Sequence, residues 1–233
     1  MTVASVPALD GPKSELFAIP FDSTPAKVEL ILQECIKHPW WFSAPATDEE
    51  RALSAAILIH DPYNKVWEVW RGGTFVGLLL LWRIQERVDA VMHFVFFDHN
   101  LIGKRSLILS FMGHCYQELG YRRLSVEVPE FKSALLGFAR RKLGFRFEGE
   151  DVVHKMVIQH GLRLKDPYRA NHKEVLSVVM AGAGSRREAA HWDNGQWYDV
   201  LCLRQTAEEY ARFMETRTCQ LVSLPQPSPQ SQG

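Results

Sequence analysis

Residues 89–149 read DAVMHFVFFDHNLIGKRSLILSFMGHCYQELGYRRLSVEVPEFKSALLGFARRKLGFRFEG, and the order of elements in this stretch decides the fold. An apolar strand from Asp89 runs into a turn containing Gly103. The helix that follows carries Leu107, Ile108, Phe111, Met112, Cys115 and Tyr116 on one stripe and ends at Gly120, a C′ residue by type. Leu124, Val126 and Val128 then alternate in a second strand that Pro129 breaks, and Leu135, Phe138 and Ala139 line a second helix. Strand, helix and parallel strand make a βαβ unit, whose crossover is right-handed. At the hand-over from strand to helix, unpaired N–H groups and the helix dipole converge, which suits a phosphate-bearing ligand.

The stretch ends Lys142-Leu143-Gly144-Phe145-Arg146-Phe147-Glu148-Gly149. With the strand–turn–helix before it, this resembles the cofactor-binding half of the GNAT superfamily of N-acetyltransferases, in which a "KLGF-x-x-EG" ending recurs. The resemblance spans Glu15 to Phe213, and similar GNAT-like proteins include some encoded by bacterial viruses. It implies an α/β (α+β) fold, a mixed, mostly antiparallel sheet of about seven strands with helices on both faces. It also implies an acyltransferase that uses acetyl-CoA as cosubstrate and an amine, in a small molecule or a protein, as acceptor. A non-catalytic GNAT-fold interaction or structural protein is the alternative.

The family's pyrophosphate loop reads Gln/Arg-x-x-Gly-x-Gly/Ala, and here the same place reads Asn100-Leu101-Ile102-Gly103-Lys104-Arg105. The resemblance assigns cofactor binding to Asn100, Gly103, Lys104, Arg105 and Ser106, with Arg105 standing where the family has almost no side chain. It also implies a bulge in the fourth strand at Val95, Phe96 and Phe97, whose freed N–H groups would hold the pantetheine and the thioester oxygen. The family's tyrosine acid falls on Arg140, and its asparagine on Ser133. For the acceptor, a lysine-type amine of pKa about 10.4 is neutral in only roughly four molecules in ten thousand at neutral pH, so a base helps. Asp89 and His93 are the candidates, both odd positions on one strand face; otherwise Asp89 ends a loop and His93 is a satisfied sheet histidine.

Around this core, Glu15–Ile19 reads as a strand. A helix follows, with Thr24 as N-cap, Pro25 at its first position, and Val28, Ile31, Leu32, Cys35 and Ile36 apolar. Thr47 and Glu50 form a capping box for a second helix, with Leu53, Ala56 and Ile57 on one apolar face. Residues 66–70 and 74–83 form a hairpin through Gly72-Gly73. Trp197 to Leu203 is the last strand, and Thr206 with Glu209 caps a terminal helix. One domain is expected over 15–216, with an insertion at 151–194, within which 152–164 could prolong the sixth strand and 173–180 form a helix. Disordered ends are expected at 1–14 and 217–233.

The chain has 233 residues, 46% hydrophobic, with a formal net charge of zero, so no global field draws it to nucleic acid or to an anionic membrane. Four cysteines without CxxC spacing and histidines without metal spacing suggest neither disulfide nor metal, and fit a reducing cytoplasm. The longest apolar run, Phe75 to Trp82, is too short to span a bilayer. Oligomeric state is not legible.

Overall fold

The computed structural model describes residues 16–38, 47–148, 186–193 and 196–222. In chain order the elements are β1 (Leu16–Pro20), α1 (Pro25–Lys37), α2 (Asp48–His60), β2 (Lys65–Arg71), β3 (Thr74–Gln85), β4 (Asp89–Phe96) and α3 (Lys104–Gln117). They continue with β5 (Arg123–Pro129), α4 (Ser133–Leu143), β6 (Arg146–Phe147), β7 (Arg186–Asp193), β8 (Gln196–Thr206) and α5 (Ala207–Val222). The eight strands form one mixed sheet in the order β1-β2-β3-β4-β5-β8-β6, with β7 also paired to β8. All pairings are antiparallel except β4 with β5.

Strand alternation sends two side-chain sets to two helical layers. Leu79, Leu81, Ala90, Met92, Leu124 and Val126 face α3, α4 and α5, in a core completed by Phe111, Met112, Leu136, Phe145 and Tyr210. Leu78 and Leu80 face α1 and α2, which meet them with Ile31, Cys35, Ala55 and Ile59. Between β2 and β3, Gly72 (φ 53°) and Gly73 (φ 83°) make the hairpin turn, which needs positive φ at both positions. The Thr47–Glu50 capping box forms, and so does its counterpart at α5: Thr206 N–H donates to Glu209 Oε2 at 2.8 Å, and Glu209 N–H to Thr206 Oγ1 at 3.2 Å.

A buried charge fixes α1 on the sheet. Glu68 of β2 is 1% exposed, forms an ion pair with Lys27 Nζ of α1 at 2.8 Å and accepts from Trp70 Nε1 at 2.8 Å. Burial alone would lower the Lys27 pKa, but bonds to Asp22 and Glu68 outweigh it and raise it.

Three sequence expectations change. Leu53 and Ile57 of α2 are 62% and 60% exposed, while Ala55 and Ile59 are the buried positions. Arg186–Asp193, expected inside an insertion, is β7 of the sheet, so the segment between the KLGF turn and the regular fold is shorter at its far end. The terminal helix runs on to Val222, past the expected boundary at 216. The expectations for 1–14, 152–164, 173–180 and the tail beyond 222 lie outside the described residues.

Candidate functional site

The parallel pair β4 and β5 holds together only at its base, over Asp89↔Arg123, Ala90↔Leu124 and Val91↔Ser125. Above this, β4 stays paired to β3 as far as Phe96↔Gly77, and β5 stays paired to β8 as far as Pro129↔Val200. Each strand therefore follows its outer neighbour, and the sheet opens into a V between them. Backbone groups on the inner edges of the V are left without a strand partner, which is the condition for a ligand to supply one.

Successive residues of a strand turn their N–H and C=O to opposite neighbours. On the β5 side, the Val88 carbonyl accepts from Arg122 and Arg123 N–H at 3.2 and 3.0 Å; on the β3 side, Phe97 N–H donates to the Val76 carbonyl at 2.8 Å. Even-numbered residues of β4 thus face β5, and the N–H groups of Phe94 and Phe96 open into the V. Val95 and Phe97 have the other parity. The bulge expected at 95–97 is not where pairing breaks: register is continuous from Phe96 to Val91, and the irregularity falls between Trp82 and Gln85 of β3, where Arg83 has φ 48°. Gly77 makes the continuity feasible, since a Cβ there would lie 2.1 Å from the Val95 carbonyl oxygen.

The two faces of the V differ. Toward α4, Phe94 meets Phe138 edge-on with ring centroids 6.4 Å apart. Toward α1, Phe97 stacks on His38 at 5.1 Å, and His93 lies half-buried opposite Leu80. Asp89 and His93 share a face, but four residues of strand, about 13 Å, separate them. Asp89 sits at the closed base, 19% exposed, in an ion pair with Arg123 and accepting from Ser125 Oγ at 3.3 Å. The Asp89 hydrogen bond raises the Arg123 pKa. Only His93 of the two lies beside the opening. Glu127 of β5, which sequence reasoning did not nominate, falls level with it and pairs with Arg83 at 2.8 Å.

At the mouth, the loop from Asp98 to Gly103 leads into α3. Gly103 is the N-cap residue at φ 78°, a left-handed conformation that favours glycine, while a Cβ there would make only side-chain contact with Leu16 Cδ1 at 3.4 Å; the glycine thus serves the backbone as well as being a candidate ligand contact. Asn100 Oδ1 accepts from Ile102 N–H at 2.9 Å. Lys104 is turned inward: its Nζ donates to the Asp98 carbonyl at 2.6 Å, pairs with Asp98 Oδ1 at 2.7 Å and lies 4.7 Å from the centre of the Phe96 ring. Arg105 Nε reaches the Lys142 carbonyl of α4 at 3.3 Å, so its side chain leaves the turn open. Gly103 and Ser106 are exposed. The N–H groups of Leu101, Gly103, Arg105 and Ser106 have no backbone partner.

Arg140, which the resemblance set at a tyrosine position, lies with its guanidinium 4.6 Å from the centre of the Phe147 ring. Among the described residues there is no cluster that could hold a metal ion, and no helix long and apolar enough to cross a membrane. Cys35, Cys115 and Cys202 are buried and form no disulfide among the described residues.

No protein-family model and no curated protein matches the sequence. Among solved structures, the spermidine N-acetyltransferase of Vibrio cholerae in complex with CoA and spermine is similar at a TM-score of 0.55 and 16% identity, over 84% of this chain and 98% of that one. A mutant form of the same enzyme reaches a TM-score of 0.57 at 12% identity, over 86% and 98%. An acetyl transferase of Salmonella typhimurium that modifies the N-terminal serine of ribosomal protein L7/L12 follows at 0.54 and 17%, over 84% and 97%. The chain therefore has the GNAT acetyltransferase fold. Nothing in these likenesses supports a bacterial-virus type.

Proposed function

We propose that this chain is an N-acetyltransferase that takes an acetyl group from acetyl-coenzyme A and passes it to an amine, in a small molecule or a protein. The observation that carries the reading is the opening of the β4–β5 pair directly beneath an α3 entrance with unpartnered N–H groups. A V of this kind offers two edges of free backbone to an extended arm, and the α3 entrance offers donors to a pyrophosphate. The likeness to an acetyltransferase solved with CoA and spermine supports a CoA-based acyl donor.

The residues present fit such a cosubstrate. The Leu101, Gly103, Arg105 and Ser106 N–H groups would hold the pyrophosphate, with Asn100 beside them, and the edge of β4 at Phe94 and Phe96 would hold the arm. Acetyl-coenzyme A would supply the activated thioester there. Inward-facing N–H groups at Phe94 and Phe96 are placed to favour an oxyanion, since fixed donors need no reorganisation as charge develops. His93 is the group we assign to take the amine proton, on the α1 and α2 face where an acceptor would enter. Asp89, held by Arg123 at the base, serves the strand pairing. Arg140 cannot donate a proton, so the thiolate would leave without a side-chain acid at that position. The reading places the protein in the cytoplasm and requires neither nucleic acid nor a membrane.

Titration calorimetry with acetyl-CoA, followed by a thiol-release assay across polyamines, N-terminal peptides and lysine peptides, tests this. Binding with thiol release on at least one amine is expected. Binding without release on any acceptor would favour the non-catalytic reading that Arg140 suggests, and no heat at millimolar acetyl-CoA would remove the cosubstrate altogether.

A further inference from the structure

Arg71 lies at the end of β2, some thirty residues before the α3 loop, yet its side chain is only 14% exposed and reaches three points of that loop. Its Nη2 donates to the carbonyl of Asn100 at 3.2 Å and to that of Ile102 at 3.0 Å, while Nε pairs with Asp98 Oδ2 at 3.2 Å. Lys104 Nζ takes the Asp98 carbonyl. The carbonyls of 98, 100 and 102 are thus all held on the protein side by cations.

A trans peptide unit is planar, and its C=O and N–H point in opposite directions. No cis bond interrupts the described chain. Fixing the Asn100 and Ile102 oxygens toward Arg71 therefore turns the Leu101 and Gly103 N–H groups away from it. Neither N–H has a backbone partner. Rotation of the 102–103 peptide plane would change ψ of Ile102 and φ of Gly103, and glycine tolerates either sign of φ. The loop sequence alone does not hold this plane, and a rotated plane would set the Ile102 oxygen where an anion must land.

We infer that Arg71 is the positioning residue of the phosphate-binding loop, acting by orienting peptide planes rather than by contributing charge to the ligand. This rests on the acetyltransferase reading and extends it to a residue on another strand. Its guanidinium is fully engaged by two loop carbonyls and by Asp98, a carboxylate it shares with Lys104, and is aimed at the loop backbone.

The test compares Arg71→Lys and Arg71→Gln with the wild type by calorimetry, using coenzyme A and pantetheine, which shares the arm but lacks the phosphates. Melting temperatures are recorded alongside. Wild type is expected to bind coenzyme A more tightly than pantetheine. Both variants are expected to lose about 10- to 100-fold in coenzyme A affinity, the range for a lost charged hydrogen bond, and to bind pantetheine as wild type does. Lysine keeps the charge but has no fork to engage two carbonyls and a carboxylate together, so it should not rescue. Full affinity in Arg71→Lys would mean that charge alone matters and would overturn the inference, as would equal weakening of both ligands, which marks a general structural role. Wild-type affinity in both variants would overturn it while leaving the acetyltransferase reading standing. A wild type that binds neither compound would overturn both.

Discussion

Gly144, in the KLGF turn that ties α4 to β6, provides a quantitative test when paired with Gly73. Both residues have φ 83°, so alanine at either site meets the same backbone penalty, about 1–2 kcal/mol for a left-handed L-residue. Their surroundings differ completely. A Cβ on Gly73 has nothing within 4 Å, whereas on Gly144 it would stand 2.7 Å from Gln205 Nε2 and 2.8 Å from Phe213 Cδ2. Gln205 is fully buried and cannot simply step aside: its Nε2 donates to the Leu143 carbonyl at 3.0 Å, and its own backbone oxygen accepts from Tyr116 OH at 2.9 Å. Displacing it would leave a buried donor and acceptor unmatched, at about 1–3 kcal/mol. Gly73→Ala should therefore cost about 1–2 kcal/mol, and Gly144→Ala about 2–5 kcal/mol, out of a total stability of about 5–15. Urea denaturation of both variants, fitted with a common m-value, measures the difference directly. Equal losses would show that the turn carries no packing constraint and would refute the reasoning.

Three further outcomes are expected. Lys27→Met leaves Glu68 buried without its cation and should cost about 3–5 kcal/mol, with Lys27→Met/Glu68→Leu recovering much of it; a double variant no better than the single would show that the pair is not the source. Burial raises the pKa values of Cys35 and Cys115 from an ordinary 9.0, and of Tyr116 from 10.0, so above these values the unfolded chain gives up protons that the native state retains. Stability is then fully present below about pH 9 and falls as pH rises further; a flat denaturation midpoint from pH 8 to 10.5 would contradict the burial. His93→Gln should lower acetyl transfer by about 10²–10⁴-fold with coenzyme A affinity retained, and an unchanged rate would remove it as the base.

Much of this architecture was legible because local signals agreed. The Gly-Gly hairpin, both capping boxes and the KLGF turn each rest on residues only a few positions apart, and each forms. The α2 face was misread because DEERALSAAILIH is apolar at most positions after Arg51, so a helical period fits more than one face. Packing on Leu78 and Leu80 decides for Ala55 and Ile59, and no local spacing encodes that. The site was legible as a place but not in its details. Sequence gives Lys104 and Arg105 a charge but no direction: Lys104 turns inward to the Asp98 carbonyl, and Arg105 reaches across to the Lys142 carbonyl of α4. Arg71 was invisible until the β2-β3-β4 meander brought the ends of β2 and β4 to the same edge of the sheet, two strand spacings or roughly 10 Å apart, within reach of an arginine. Strand β7 has no signature beyond its pairing with β8.

Entry of coenzyme A into the split between β4 and β5 is tested most directly by residue-resolved amide exchange with and without coenzyme A. Slower exchange is expected at Leu101, Gly103, Arg105 and Ser106 and at Phe94 and Phe96, whose N–H groups are free to accept a partner. Phe97, already bonded to the Val76 carbonyl, should change little. Protection confined to other parts of the chain, or none at saturating ligand, would contradict it.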